Sequence, residues 1–153
     1  MKRLFVVLVF VVSCVSTCYS QSKLEILGRW EIYKIDMGDM YVDEHKEYVS
    51  DTFSNKLKGK KDSALSINLL LGTLKNLMGV EYNFKPNEEV SQYNPNSRVM
   101  RNGKYKLIKE IIKTTISNVV EDYKIVSLNK EHMVLEIKIA DATKAQIYLK
   151  NRS

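Results

Sequence analysis

From Arg29 onward the chain is built of short runs in which apolar and polar residues alternate, broken by turn residues at intervals of about ten; that period of two points to antiparallel sheet. Val80, Tyr82 and Phe84 alternate with Glu81, Asn83 and Lys85. Met133, Leu135, Ile137 and Ile139 stand opposite His132, Glu136 and Lys138, and Ala145, Ile147 and Leu149 stand opposite Lys144, Gln146 and Lys150. Each such strand has one dry face and one wet face. Arg29 to Met37, Lys104 to Lys109, Ile111 to Ser117 and Val119 to Leu128 read as further strands, with Glu89 to Tyr93 as a hairpin partner for the run ending at Phe84. Met40 to Tyr48 is a weaker, acidic run that either pairs with Arg29–Met37 or forms a loop. Pro86-Asn87, Asn129-Lys130 and Asp141-Ala142 supply turns, Asn94 to Ser97 a loop, and Asn102-Gly103 a tight turn. Seven to nine strands of this kind protect their edges by closing into an up-and-down barrel of about eight strands, which suits so short a chain better than two stacked sheets.

One segment departs from the period of two. Between Asp62 or Ser63, either of which can cap a helix, and Gly79, which can end one, Leu65, Leu69, Leu70, Leu71, Leu74, Leu77 and Met78 recur at helical spacing. A helix over 63–78 is therefore expected as an insertion. Its leucines cover more than one stripe, so burial against its own domain accounts for one flank. The other flank is either a lid over a cavity or a surface for a lipid or a partner protein.

The first twenty residues belong to none of this. Lys2 and Arg3, the apolar run Leu4 to Val12 and the small, polar stretch Ser13 to Ser20 have the three-part layout of a secretory signal. The apolar run is about half of the roughly 20 residues a membrane-spanning helix needs. Cleavage before Gln21 reads small residues at Cys18 and Ser20, while Val11-Val12-Ser13-Cys14 resembles a lipobox that would leave an acylated Cys14. We expect the first, and hence an exported protein, periplasmic or secreted, with a lipid-anchored envelope form as the alternative. Loss of residues 1–20 leaves 133 of the 153, enough for one domain over 21–153, and takes the net charge from +6 to +4 as Lys2 and Arg3 depart. Both cysteines leave as well, and with them any disulfide, thiolate or Cys-based metal site. The dense basic run Lys56, Lys58, Lys60, Lys61 reads as a solvated loop or as a contact for an anionic lipid head group or glycan, and no nucleic-acid partner is expected.

Leu27-Gly28-Arg29-Trp30-Glu31-Ile32 resembles the opening of lipocalin-like (calycin-type) domains, in which Gly-x-Trp starts the first barrel strand after a short turn of helix, here Lys23 to Leu27. The ending Tyr148-Leu149-Lys150-Asn151-Arg152 is similar to the last strand of small exported lipocalin-like proteins of Bacteroidota-type bacteria. The resemblance spans roughly residues 23 to 152 and implies a basic residue near the last strand packed over Trp30. The second lipocalin motif, Thr-Asp-Tyr, is met loosely by Glu121-Asp122-Tyr123, and the helix falls between early strands where lipocalins place theirs after the barrel.

Trp30 reads as the plug of the closed end of such a barrel rather than as the floor of a cavity. Tyr82, Phe84, Tyr105 and Tyr123, if inward, either fill the barrel or line a site for one small ligand, and a mostly filled interior is the expectation. With Leu70 and Leu74 of the helix, those four are the candidate ligand-binding residues. Nothing nominates a catalytic group. His45 and His132 lie apart without a second ligand at metal spacing, Asp36, Asp39 and Asp43 lack the glycine and distal glutamate of a calcium loop, and phosphate loops and nucleophile elbows are missing. The sequence thus leads to a non-enzymatic envelope protein without cofactor or metal, holding a small hydrophobic ligand or acyl chain. The alternative is a solid barrel that docks on another envelope protein.

Overall fold

The computed structural model describes residues 25–57, 63–140 and 143–152. The expected signal segment with Cys14 and Cys18, the lysines at 58, 60 and 61, the Asp62 cap and the Asp141-Ala142 turn lie outside these residues, and so does the side chain of Lys56. The described chain holds β1 (Gly28–Asp36), β2 (Met40–Asp43), β3 (Glu47–Val49), α1 (Asp51–Leu57), α2 (Ser63–Leu77), β4 (Glu81–Phe84), β5 (Glu89–Asn94), β6 (Val99–Ile108), β7 (Ile111–Ile116), β8 (Val119–Leu128), β9 (His132–Ala140) and β10 (Thr143–Asn151). From β4 to β10 each strand pairs antiparallel with the next, β4 pairs with β1, and β10 returns to β1. That is a closed, eight-stranded, up-and-down barrel of lipocalin-like form, with β2–β3 as a side hairpin on β1 and α2 as the inserted helix.

The alternation in the sequence maps onto the wall. Along β7 the odd residues face solvent while Ile112, Thr114 and Ile116 are buried, and β4 buries Tyr82 and Phe84. Ser117 and Asn118, both at positive φ (50° and 66°), make the two-residue hairpin between β7 and β8. One end of the barrel is solid. Trp30, Phe84, Val90, Tyr105, Ile112, Met133 and Leu149 are buried there together with Ile26. Trp30 donates its indole N–H to the carbonyl of Ile26 at 2.8 Å, so the ring is dry and its polar atom is satisfied. Burying a residue of that size removes roughly 150–250 Å² from water, worth about 4–6 kcal/mol at 25 cal/mol/Å². The cation at the end of the last strand does not cover this ring: Arg152 bonds Glu31, the neighbour of Trp30 along β1 and therefore on the opposite face.

Three local readings are refined or corrected. Met40–Tyr48 does pair with β1, through Met40–Asp43, but folds back on itself as the β2–β3 hairpin, turned where the Asp43 carboxylate accepts the N–H groups of His45 and Lys46, both at 2.8 Å. The helix α1 was not anticipated; Ser50 caps it, its hydroxyl accepting the Phe53 N–H at 3.1 Å. Asn102-Gly103 is no turn and lies inside β6, where Asn102 pairs with Ser91 and Gly103 with Val90 and Ile116. The glycine serves close approach instead. A Cβ at position 103 would meet the carbonyl oxygen of Thr115 at 2.2 Å and the Cα of Ile116 at 2.9 Å, backbone that can yield only by moving β7. Gly103→Ala is expected to destabilise the domain by about 1–3 kcal/mol through this overpacking, measured as a shift of the urea midpoint with unchanged slope. An unchanged midpoint would mean that β6 and β7 have room to separate.

Candidate functional site

The open end of the barrel comes from a fork in β1. Its first half pairs with β4, from Gly28–Phe84 to Glu31–Glu81, and Ile32 extends the contact by exchanging bonds with Gly79 and Val80 (both 2.9 Å). Its second half, Lys34–Asp36, leaves β4 and pairs with β2. The helix α2 lies at this gap. Gly79, at φ 76°, ends it and turns the chain into β4. The amides of Asn94 and Asn96, from the β5–β6 turn, donate to the carbonyl of Asn76 at 3.1 and 3.2 Å, and Asn96 also donates to Met78 at 3.2 Å, so the last turn of the helix is capped from the barrel rim. Lys75 pairs with Glu47 of β3 at 2.9 Å.

Beneath α2 the interior is open. A cavity of about 490 Å³ is walled by Ile32, Ile35, Ile116, Ile137, Ala145 and Ile147 and covered by Leu70, Thr73, Leu74 and Leu77 of the helix. Of the four aromatic residues expected in its lining, Tyr82 and Tyr123 reach it. Phe84 and Tyr105 do not. They pack edge to face at 5.1 Å in the solid end, where the Tyr105 hydroxyl donates to the Lys85 carbonyl at 2.9 Å. The reason is position along the strand: Tyr82 and Phe84 share a face, but two residues separate them by about 7 Å along the barrel wall. The interior is thus divided, filled toward Trp30 and hollow toward the mouth.

Sequence reasoning missed the polar members of this site. Gln92 and Arg101 stand in one inward row with Tyr82 across β4, β5 and β6. Glu121 shares the inward face of β8 with Tyr123, and a carboxylate two residues from an inward aromatic in a strand is the signal that pointed there. Tyr123 donates its hydroxyl to Glu121, Gln92 donates its amide to the Tyr82 oxygen at 2.8 Å, and the two tyrosine rings meet edge to face at 6.4 Å. Thr114, directly opposite Glu121 in the β7–β8 ladder, is 1% exposed, and its hydroxyl has no hydrogen-bond partner among the described residues.

Burial pushes the phenols of Tyr82 and Tyr123 above the ordinary tyrosine range, and the negative charge of Glu121 adds to both shifts. For Tyr123, the hydrogen bond to Glu121 holds the phenol proton still more firmly.

The wall is also breached from the side. The β8–β9 ladder runs from Leu128–Met133 to Lys124–Glu136 and stops, so mouthward of it Val119–Tyr123 pair only with β7, and β9 pairs only with β10. A slot of about 810 Å³ opens there on the outer surface, and Val119, Glu121, Ile137 and Ile139 border both the slot and the cavity.

No family model matches the chain, and no curated protein does. Among solved structures it is similar to a lipocalin-like protein from Bacteroides uniformis ATCC 8492, at 11% identity and a TM-score of 0.46, covering 81% of this chain and 96% of that one. It is similar to an uncharacterized protein from Bacteroides eggerthii DSM 20697, at 12% identity and 0.44, covering 81% and 98%. A DUF4847 family protein from Bacteroides vulgatus ATCC 8482 follows at 9% identity and 0.43, covering 84% and 94%. The lipocalin-like form of the barrel is read from its own strand order and closure.

Raised phenol values fix the sign of an alkaline effect. The unfolded chain ionises its tyrosines near pH 10 while the folded one holds Tyr82 and Tyr123 neutral, so stability is intact below that pH and is lost as pH rises above it. The melting midpoint is expected to fall past about pH 10, and a Tyr82→Phe, Tyr123→Phe double variant to fall less steeply. Tyrosinate absorbance from these two residues that develops with the fold intact would contradict the burial.

Proposed function

We propose that this protein is a non-enzymatic binding module of the cell envelope that holds one small apolar molecule in the mouthward half of its barrel. The observation that carries this reading is the cavity of about 490 Å³, apolar on most of its wall and covered by a helix that the barrel rim itself caps. Its size falls within the range of small-molecule sites, and a few polar groups gathered on one side of an apolar space give such a site its orientation. The two flanks of α2 divide accordingly: Leu70 and Leu74 turn to the cavity, while Leu65 and Leu69 are 66% and 72% exposed.

Uptake of the neutral fluorophore N-phenylnaphthylamine tests the cavity. We expect fluorescence enhancement with the wild type, and its loss in Ala145→Phe, which places a ring in the space beside Ile137 and Ile147. Changing Leu65 and Leu69 to serine is expected to leave both uptake and the melting midpoint nearly unchanged, whereas Leu74→Ser costs about 2 kcal/mol or more. Absence of uptake in the wild type would replace this reading with that of a barrel that docks on another envelope protein.

Export is part of the same proposal. Protein purified from its host is expected to begin at Gln21, as found by N-terminal sequencing, and an acylated Cys14 at the N-terminus would establish the lipid-anchored form instead.

A further inference from the structure

Where the cavity meets the slot, its polar groups are unsuited to the head group that an acyl chain ordinarily carries. Glu121 reaches the junction of slot and cavity as a carboxylate; one oxygen accepts the Tyr123 hydroxyl, and the other accepts no hydrogen bond among the described residues. Gln92 uses its amide nitrogen on Tyr82, which leaves its carbonyl oxygen as an acceptor. At the Glu121 side of this wall the open positions are acceptors, while the Arg101 guanidinium supplies donors at the rim. The slot that opens at Glu121 is lined by three cations, Lys113, Lys124 and Lys138, and three anions, Glu121, Asp122 and Glu136, so its formal charges cancel and favour no charged ligand. A carboxylate seated at the junction would face Glu121 in a partly desolvated space where like charges repel strongly.

Resting on the cavity reading above, we infer that the ligand is a neutral apolar molecule bearing a hydroxyl or comparable hydrogen-bond donor. Its donor sits on Glu121 where slot and cavity meet, and its apolar body lies in the cavity among Ile137, Ala145, Leu70 and Leu74. Arg101 gives the competing arrangement. It is exposed at the barrel mouth beside Leu77 and Gln92, with no ion-pair partner among the described residues, and would hold an anionic head at the rim.

The two arrangements are separated by displacing N-phenylnaphthylamine with a set matched in chain length, tetradecanol, tetradecanoic acid and tetradecane, at neutral pH. The wild type is expected to prefer the alcohol over the acid by about tenfold or more, since a built acceptor discriminates on that scale. Glu121→Gln, which keeps the shape and removes the charge, is expected to narrow the gap by improving the acid, and Arg101→Gln to leave it unchanged. A melting midpoint of Glu121→Gln equal to that of the wild type guards against reading a folding defect as selectivity. An acid that binds as well as the alcohol in the wild type, or a preference for the alcohol that survives Glu121→Gln, would overturn the inference while leaving the cavity intact. Lack of probe uptake by the wild type is a different result and removes the cavity reading itself.

Discussion

Every element of this domain depends on the way β1 shares its two edges. On one side it pairs with β10 from Trp30 to Asp36, which closes the ring; on the other it pairs first with β4 and then with β2. Closure converts one face of every barrel strand into a common interior, and leaves strand edge unpaired at β3 and where the β8–β9 ladder stops. The fork on the opposite edge does the reverse at one end only. Because Lys34–Asp36 are taken by β2, β4 cannot continue along β1, and the gap is left to α2. Closure therefore produces the solid end, and the fork produces the mouth.

The two ends differ in what their side chains can fill. Near Trp30 the inward residues are large and converge, with Phe84, Tyr105, Met133 and Leu149 buried around the indole. Toward the mouth they are Ala145, branched aliphatics and two phenols, which do not span the barrel, and the leucines of α2 close the space from outside. The densely packed plug supplies the burial that holds the ring together, while the side chains around the hollow part forgo the contacts a filled interior would give them.

The polar patch is the costly part of the interior. A carboxylate, two phenols and an amide on one side of an apolar cavity oppose folding unless they bond one another; Tyr123 bonds Glu121 and Gln92 bonds Tyr82, while the Thr114 hydroxyl, buried opposite Glu121 in the β7–β8 ladder, has no partner among the described residues. The lateral slot lies against the same patch, so Glu121 borders both the interior and the surface. Incomplete satisfaction at such a junction is what a site for a polar group on an apolar ligand requires.

Much of the fold was legible because a period of two is a local property. Alternation along β4, β9 and β10, the β-branched run of β7, the helix ending at Gly79 and the plug at Trp30 all follow from residues within a few positions of one another. What failed to show in the sequence depends on distant partners. Gly103 looks like a turn residue until Thr115, from the next strand, is seen pressing on it, and Phe84 cannot be told from Tyr82 until the axial position of each is known. Glu121 enters the sequence reading only as part of a loose motif, and its place beside Tyr123 and opposite Thr114 makes it the charge that borders the cavity. The sequence by itself determined the strands, their wet and dry faces and the helix, since each is set by nearest-neighbour chemistry. Only the tertiary structure decided where the barrel is solid and where it is hollow, because that depends on which strands share β1 and where the β8–β9 ladder stops, and both are pairings between residues far apart in the chain.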